Sequence, residues 1–263
     1  MSFNRLNRRA LLRGGLLGSM ALPLSGCNTL DFVEDANNPV RKTMAAWNSL
    51  TYRAQRLLIS DAALAPEFAA TDIRQAQKPN GSTAPDQPDY QALQDKNFEG
   101  YQLKVSGLVE KPKTYSMADL RAMPARTQIT RHDCVEGWST IAKWQGAPLY
   151  HVLDEVVVKP EARFVLFRCY DALTQGLSGP DLYYETIDLV DARHAQTILA
   201  YDMNDKPLPV ANGAPLRVRV ERQLGYKMAK YIRSIELVSG FADVNGGNGG
   251  YWEDRGYDWY AGI

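Results

Sequence analysis

An α+β architecture of mixed β-sheets with short helices is expected for residues 66–263 on three grounds. Strand signals recur without the regular strand–helix–strand period of a doubly wound sheet. The helix candidates between them are short. The tail over residues 240–263 combines glycines with Tyr251, Trp252, Tyr257, Trp259 and Tyr260, the makeup of a segment that packs by aromatic anchors rather than by regular elements.

Taken in order, the chain opens with a targeting element. Residues 1–26 hold Arg5, Arg8, Arg9 and Arg13 and no acid, and the rest carries 26 bases against 30 acids. The apolar stretch from Gly14 to Gly26 reaches about 20 Å as a helix, short of a hydrocarbon core of about 30 Å, and reads as a signal h-region. The pair Arg8-Arg9 resembles a twin-arginine export signal, and Leu24-Ser25-Gly26-Cys27 resembles a bacterial lipobox with Cys27 as the lipidated residue. A general secretory signal with an incidental cysteine is the alternative. Residues 1–27 are thus assigned to the signal and 28–65 to a tether and an amphipathic helix. The product is expected outside the cytoplasm, exported already folded and held to the membrane by lipid.

From Pro39 to Ile59 the period is helical, with Asn38-Pro39 as N-cap and first turn. Val40, Met44, Trp47, Thr51, Ala54 and Leu58 form a largely apolar stripe that packs on its own domain or faces a membrane. Residues 77–90, with three prolines and Asn80-Gly81, make a long loop of the kind that carries function. Strands are predicted at Gln102–Val105, Arg163–Cys169, Thr197–Tyr201 and Pro215–Val220; in the last, Leu216, Val218 and Val220 oppose Arg217, Arg219 and Glu221. Helices are predicted at Met117–Ala122 and Leu149–Val156.

Composition excludes several classes. With 45% apolar, 23% charged and 10% aromatic residues, the chain can bury a sizeable core and is not a disordered tract. Thirty Lys and Arg against thirty Asp and Glu leave no basic coat for nucleic acid. Three cysteines without a CxxC pair argue against a disulfide scaffold, a zinc ribbon or c-type haem. His132, His151, His194, Cys134 and Cys169 show no usual zinc spacing. No Walker loop or dinucleotide fingerprint occurs, and the glycines at 246–250 read as a flexible turn.

Two segments can carry chemistry. Cys134 follows a predicted strand in Arg131-His132-Asp133-Cys134-Val135-Glu136-Gly137-Trp138, where a scaffold can present a reactive atom. Its residue type is open between a metal thiolate, a Cys–His nucleophile and a buried inert thiol. Around 212–230, Asn212-Gly213-Ala214-Pro215-Leu216-Arg217 and Gly225-Tyr226-Lys227-Met228-Ala229-Lys230 place two lysines three apart near an arginine, either an anion site or a solvated basic turn.

Together with Trp144, Gly146-Ala147-Pro148-Leu149, Ile232 and Ile235-Glu236-Leu237, these segments resemble the sulfite-oxidase fold of molybdopterin-dependent oxidoreductases, over roughly residues 66–240. The bacterial branch that includes the catalytic subunit of periplasmic methionine-sulfoxide reductase is the most similar. The resemblance implies molybdenum bound by the Cys134 thiolate in a molybdenum–molybdopterin (Mo-MPT) cofactor. It implies cofactor contacts at Asn212 and Arg217, at Lys227, Met228, Ala229 and Lys230, and more loosely at Asn80. Cys169 falls where that branch has a threonine, so a plain core cysteine is equally open there. Arg131 is a candidate for holding substrate, or a structural partner of Asp133 or Glu136; His132 is a proton donor or a structural histidine.

The implied activity is two-electron oxygen-atom transfer, reduction of an S-oxide or related oxide. A sulfite-type dehydrogenase and a non-catalytic lipoprotein retaining the fold are the alternatives. Substrates would be small-molecule or protein-bound oxides or oxyanions. The chain is expected to be a monomer that exchanges electrons with a separate membrane haem protein or cytochrome.

Overall fold

The computed structural model describes residues 38–176 and 179–263; Arg8-Arg9, Cys27 and the proposed tether lie outside the described residues. In chain order the elements are α1 (Pro39–Leu58), α2 (Pro88–Gln94), β1 (Gln102–Gly107), β2 (Lys113–Ser116), α3 (Met117–Ala122), β3 (Arg126–Asp133), β4 (Ser139–Pro148), α4 (Leu149–Val156), β5 (Phe164–Gly176), β6 (Gly179–Asp188), α5 (Leu189–Ala192), β7 (Ile198–Met203), β8 (Lys206–Pro207), β9 (Arg217–Arg219) and β10 (Ile232–Val238). This is the expected α+β arrangement.

The strands form two sheets. One has the order β2-β1-β10-β5-β6, antiparallel except for the parallel pair β1 and β10. The other runs β3-β4-β7-β8, with β9 also paired to β7. Both predicted short helices have the expected bounds, and the reasons are local. Ser116 caps α3 by accepting from the Asp119 amide, and Asp119 returns a bond to the Ser116 amide, a capping box. Helix α4 buries Leu149, Val152, Leu153 and Val156, a single face at helical spacing, against the core that also holds Leu103, Val105, Phe167 and Ile235. Gly146 is needed where β4 bulges against β7, because a Cβ there would lie 2.2 Å from the Leu199 carbonyl oxygen.

Two sequence patterns meet surroundings that the patterns alone do not specify. The alternation over residues 215–220 separates apolar from polar side chains, and in β9 both sets are buried, Arg217 and Arg219 as well as Val218. The guanidinium groups point into an internal charge cluster instead of solvent. In α1, the Asn38 cap holds, with its side chain accepting from the Val40 amide. The apolar stripe, however, faces outward, and no residue of the helix is buried. The helix is held by its polar face: Tyr52 donates to Asp188 at 2.9 Å, Asn48 to Asp258, and Arg56 reaches Asp188 and Asp191 at 2.8 and 2.9 Å.

Asp191 anchors this contact. Burial pushes its carboxyl up, but Arg56 and Arg222 outweigh that and hold it below the usual range. Replacing Asp191 with Ala leaves the largely buried Arg222 guanidinium without a counter-charge and Arg56 with Asp188 alone, and should cost about 3 kcal/mol in chemical denaturation. Because the folded carboxyl is depressed, its contribution is present above the unfolded value of about 4 and lost as pH falls through the folded one. Asp191→Asn should therefore flatten the acid limb of the thermal midpoint measured between pH 6 and 3.

Candidate active site

Strand β3 ends directly before Cys134, so the thiol sits on the first residue of a tight turn. The Gly137 amide donates to the Cys134 carbonyl at 3.0 Å, and the Cys134 amide donates to Trp138 at 2.9 Å. Gly137 supplies the positive φ this turn requires. Cys134 is half-buried and lines a cavity with Asn80, Asp171, Met228 and Lys230. Four residues singled out in the sequence, Asn80, Cys134, Met228 and Lys230, thus come from three distant stretches of the chain to face one space. The Pro-Asn-Gly loop is part of its wall.

Behind the cavity lies a cluster of cations. Lys230 Nζ donates to the Asn80 carbonyl at 2.5 Å, to the Ser82 carbonyl and to the Ala211 carbonyl at 3.2 Å. Burial, reinforced by Arg217, pushes the Lys230 ammonium down to about 7. Arg217 donates to the Asn212 and Met228 carbonyls at 2.9 and 3.3 Å, while its Nε is buried without a partner. Burial and the neighbouring Arg219 push its guanidinium down to about 9. Arg219 is paired to Glu221 at 2.6 Å with both side chains essentially inaccessible, and it also contacts His132 Nδ1 at 3.0 Å. Both arginines lie over the Trp144 ring.

His132 and Cys134 do not form a nucleophile–base pair. Burial, then Arg219, Arg217 and Lys230, drive the imidazole well below its ordinary range, so it stays neutral. Burial also raises the Cys134 thiol. Neither shift favours a thiolate–imidazolium pair, the activated state of a Cys–His nucleophile. A thiolate here needs a cation that keeps the sulfur deprotonated, as a metal does.

Three expected residues do not line this cavity. Arg131 is half-exposed, pairs with Asp133 at 2.8 Å, and lines a different cavity beside Tyr260 and Ile263. Cys169 is buried in β5, borders another hollow beside Arg168 and Tyr184, and has its thiol pushed far up by burial. Lys227 is fully buried between Glu185 and Glu253, with Nζ at 2.5 Å from each, so its ammonium is spent inside the protein. Ala229 is buried and contributes backbone, its carbonyl accepting from the Val218 amide at 2.9 Å.

The sequence reading missed Asp171, Tyr226, Trp252 and Tyr257 on the cavity wall. An acid two residues after an apolar strand core was a usable signal for Asp171. Tyr226 lay inside the Gly225–Lys230 segment already singled out, and for Trp252 and Tyr257 there was only the composition of the tail. Asp171 is 3% exposed; its Oδ2 accepts from Ser82 at 2.6 Å, and its Oδ1 has no partner. Burial raises its carboxyl.

A thiol beside a buried cationic cluster defines a class, and comparison with known proteins identifies it. Residues 90–243 match the family described as the oxidoreductase molybdopterin binding domain. The chain belongs to this family and is an oxidoreductase. It is 32% identical, over 97% of its length and 87% of the relative, to an Azospira oryzae protein provisionally named protein-methionine-sulfoxide reductase subunit YedZ1. It is 30% identical to the protein-methionine-sulfoxide reductase catalytic subunit MsrP of Campylobacter jejuni, over 89% of this chain and 73% of that one. Among solved structures, the sulfane dehydrogenase SoxCD from Paracoccus pantotrophus aligns with a TM-score of 0.46 and 23% identity, over 53% of this chain and 38% of the other.

The residues present fit a molybdenum–pterin cofactor. Arg217, Arg219 and Lys230 outnumber the carboxylates beside them, Glu221 at Arg219 and Asp171 near Lys230, and burying that excess is costly without an anion such as a phosphate. Arg217 Nε and His132 Nε2 are orphaned. Gly213 has φ of +113°, and a Cβ there would lie 3.0 Å from the Lys230 side chain, so the glycine lets the cradle close. The two lysines should separate cleanly on substitution. Lys230→Met should lower the molybdenum retained per chain after dialysis while the thermal midpoint of the apo protein stays near wild type. Lys227→Met should cost about 3 kcal/mol in unfolding with less effect on metal retention.

Proposed function

We propose that the chain is an exported molybdenum–molybdopterin enzyme that reduces an S-oxide, with methionine sulfoxide as the substrate type. The observation that carries the reading is the Cys134 thiol on a cavity backed by the Arg217–Lys230 cationic cluster. The names of the two long relatives support the substrate type. The cavity supports it independently. Its wall is formed by Tyr226, Trp252 and Tyr257, the last two stacked with centroids 5.3 Å apart, and its ionisable groups besides Lys230 include the acids Glu136 and Asp171. Aromatic edges suit a neutral sulfur centre with its methyl group, whereas an oxyanion such as sulfite calls for converging cations.

Cys134, Arg217 and Lys230 would hold the group, with Asn212 alongside and the Met228 and Ala229 backbone shaping the cradle. When bound, the cofactor would supply the two-electron couple for oxygen-atom transfer. Net reduction turns R2S=O, two electrons and two protons into R2S and water. Asp171 is placed to hold one of those protons on Oδ1, the oxygen without a partner, while Ser82 fixes the carboxyl through Oδ2. The aromatic wall excludes water and orients the sulfur. Electrons come from a separate partner, a membrane haem protein or a cytochrome, in keeping with the relatives being named as subunits. Export by the Arg8-Arg9 signal and acylation of Cys27 would place the enzyme at the membrane with that partner.

Protein matured with its own insertion machinery should contain about one molybdenum per chain by elemental assay, since the site offers one thiolate. It should turn over S-oxides in preference to sulfite. Cys134→Ala should abolish turnover without lowering the apo thermal midpoint; retained turnover overturns the assignment. A second measurement addresses the proton. Asp171→Asn should lower kcat by about 100-fold at unchanged molybdenum content. Because the raised carboxyl donates only while protonated, wild-type kcat should fall as pH rises through its value, and the variant should lack that alkaline limb. Ser82 and Lys230 are the groups facing Asp171 that could shift the limb.

A further inference from the structure

Exposed large apolar side chains are concentrated in one place. Of the eleven that the described residues leave exposed, eight fall between Val40 and Leu64. Scattered single hydrophobics on a surface are ordinary, whereas a contiguous set marks an interaction site. Met44, Trp47, Leu50, Leu57 and Leu58 share the outward side of α1, with Trp47 at 65%, Leu57 at 85% and Leu58 at 81% exposure. The opposite side is already engaged: Asn48, Tyr52 and Arg56 tie the helix to Asp258, Asp188 and Asp191, and Tyr52 packs edge-on against Trp259 and Tyr260. The apolar side is therefore not waiting to fold back onto the same domain.

We propose that this outward side of α1 beds into the headgroup–acyl boundary of an anionic lipid bilayer and so sets the attitude of the domain on the membrane. The inference rests on the export reading above. Three observations select lipid. Apart from Arg56, which is docked on Asp188 and Asp191, the helix contains Arg41, Lys42 and Arg53 and no acid, which complements anionic headgroups. A second copy of the chain would bring these like charges together across a two-fold axis with no acid on the helix to pair them. No helix among the described residues is long and apolar enough to cross a membrane, so the fitting geometry is in-plane, with Trp47 at the interface. Cys27 lies twelve residues before Pro39, a span of at most about 40 Å, short enough to keep an acylated chain's helix within reach of the surface.

The test uses the full protein purified from membranes and reconstituted on vesicles of phosphatidylethanolamine and phosphatidylglycerol with brominated acyl chains. Brominated lipid should quench part of the tryptophan fluorescence, and Trp47→Phe should remove most of that quenching although Trp138, Trp144, Trp252 and Trp259 remain. Leu50→Glu with Leu57→Glu should also abolish it, and vesicles lacking phosphatidylglycerol should weaken it. Equal quenching in wild type and Trp47→Phe overturns the proposal. So does an absence of quenching, whether the helix instead cross-links to a membrane protein or to a second copy. Molybdenum content and S-oxide turnover should be unchanged in these variants, and the intact mass reports acylation of Cys27. Failure of the helix to insert is thereby distinguished from failure of the enzyme or export reading.

Discussion

Arg217 and Arg219 lie buried against the face of one indole, that of Trp144, with Glu221 as the carboxylate paired to Arg219. Much of the surrounding architecture follows from accommodating them. Glu221 is itself held by Gln128 from β3 at 2.8 Å, and Gln128 in turn donates to the Gln196 carbonyl at 3.0 Å. His132, also on β3, presents its Nδ1 to Arg219. Strand β4 contributes Trp144, and β9 carries both arginines. One charge cluster thus ties together three of the strands in the second sheet. Such an arrangement is a poor way to gain stability, because desolvating an ion commonly costs more than its pairing returns. A chain that buries more positive charge than it neutralises locally offers a favourable place to a negative ligand, and the phosphate of a pterin cofactor is of that kind.

This constraint also explains which parts of the molecule were legible in the sequence. Helices α3 and α4 could be bounded because their signals are local: a capping box at Ser116 and one buried face from Leu149 to Val156. Cys134, Asn80, Met228 and Lys230 could be singled out because residue type and spacing resembled a known pattern, and folding brings them onto one cavity. The alternation in β9 left the surroundings of its polar side chains unspecified for a physical reason. Period-two patterning distinguishes two faces of a strand but does not say that the polar face meets water. In β9 that face meets Glu221, His132 and the backbone carbonyls of Asn212 and Met228. The stripe of α1, open in the sequence between packing on its own domain and facing a membrane, points outward because the helix docks through Tyr52 and Arg56.

Lys227 and Lys230 show the same limit at the scale of one turn. Three residues apart in a basic-looking segment, they read as a pair of phosphate ligands. Gly225–Lys227 instead forms a single turn of 3-10 helix, and Lys227 points away into Glu185 and Glu253. That contact has its own consequence for the site. Glu185 belongs to β6, whereas Glu253 belongs to the aromatic tail, so the ammonium fastens the tail to the sheet. Trp252 and Tyr257, on either side of this point, are thereby positioned on the cavity wall. Lys230 contributes charge to the cavity and Lys227 contributes its shape.

The electrostatics around Cys134 narrow the chemistry further than its position alone. A cysteine nucleophile needs its thiolate at working pH and a base that can become cationic. Here the nearest histidine by sequence sits among Arg217, Arg219 and Lys230, which oppose any further positive charge, and Gly225 is packed so closely that a Cβ would lie 2.4 Å from the imidazole. His132 can neither take up a proton readily nor swing toward the thiol. The same cations that disable it as a base stabilise an anion bound beside them. The sequence His132-Asp133-Cys134 therefore places together a sulfur, a neutral imidazole and a field that selects for negative charge. These are conditions for holding an anionic metal cofactor, and they are unfavourable for hydrolysis through a cysteine.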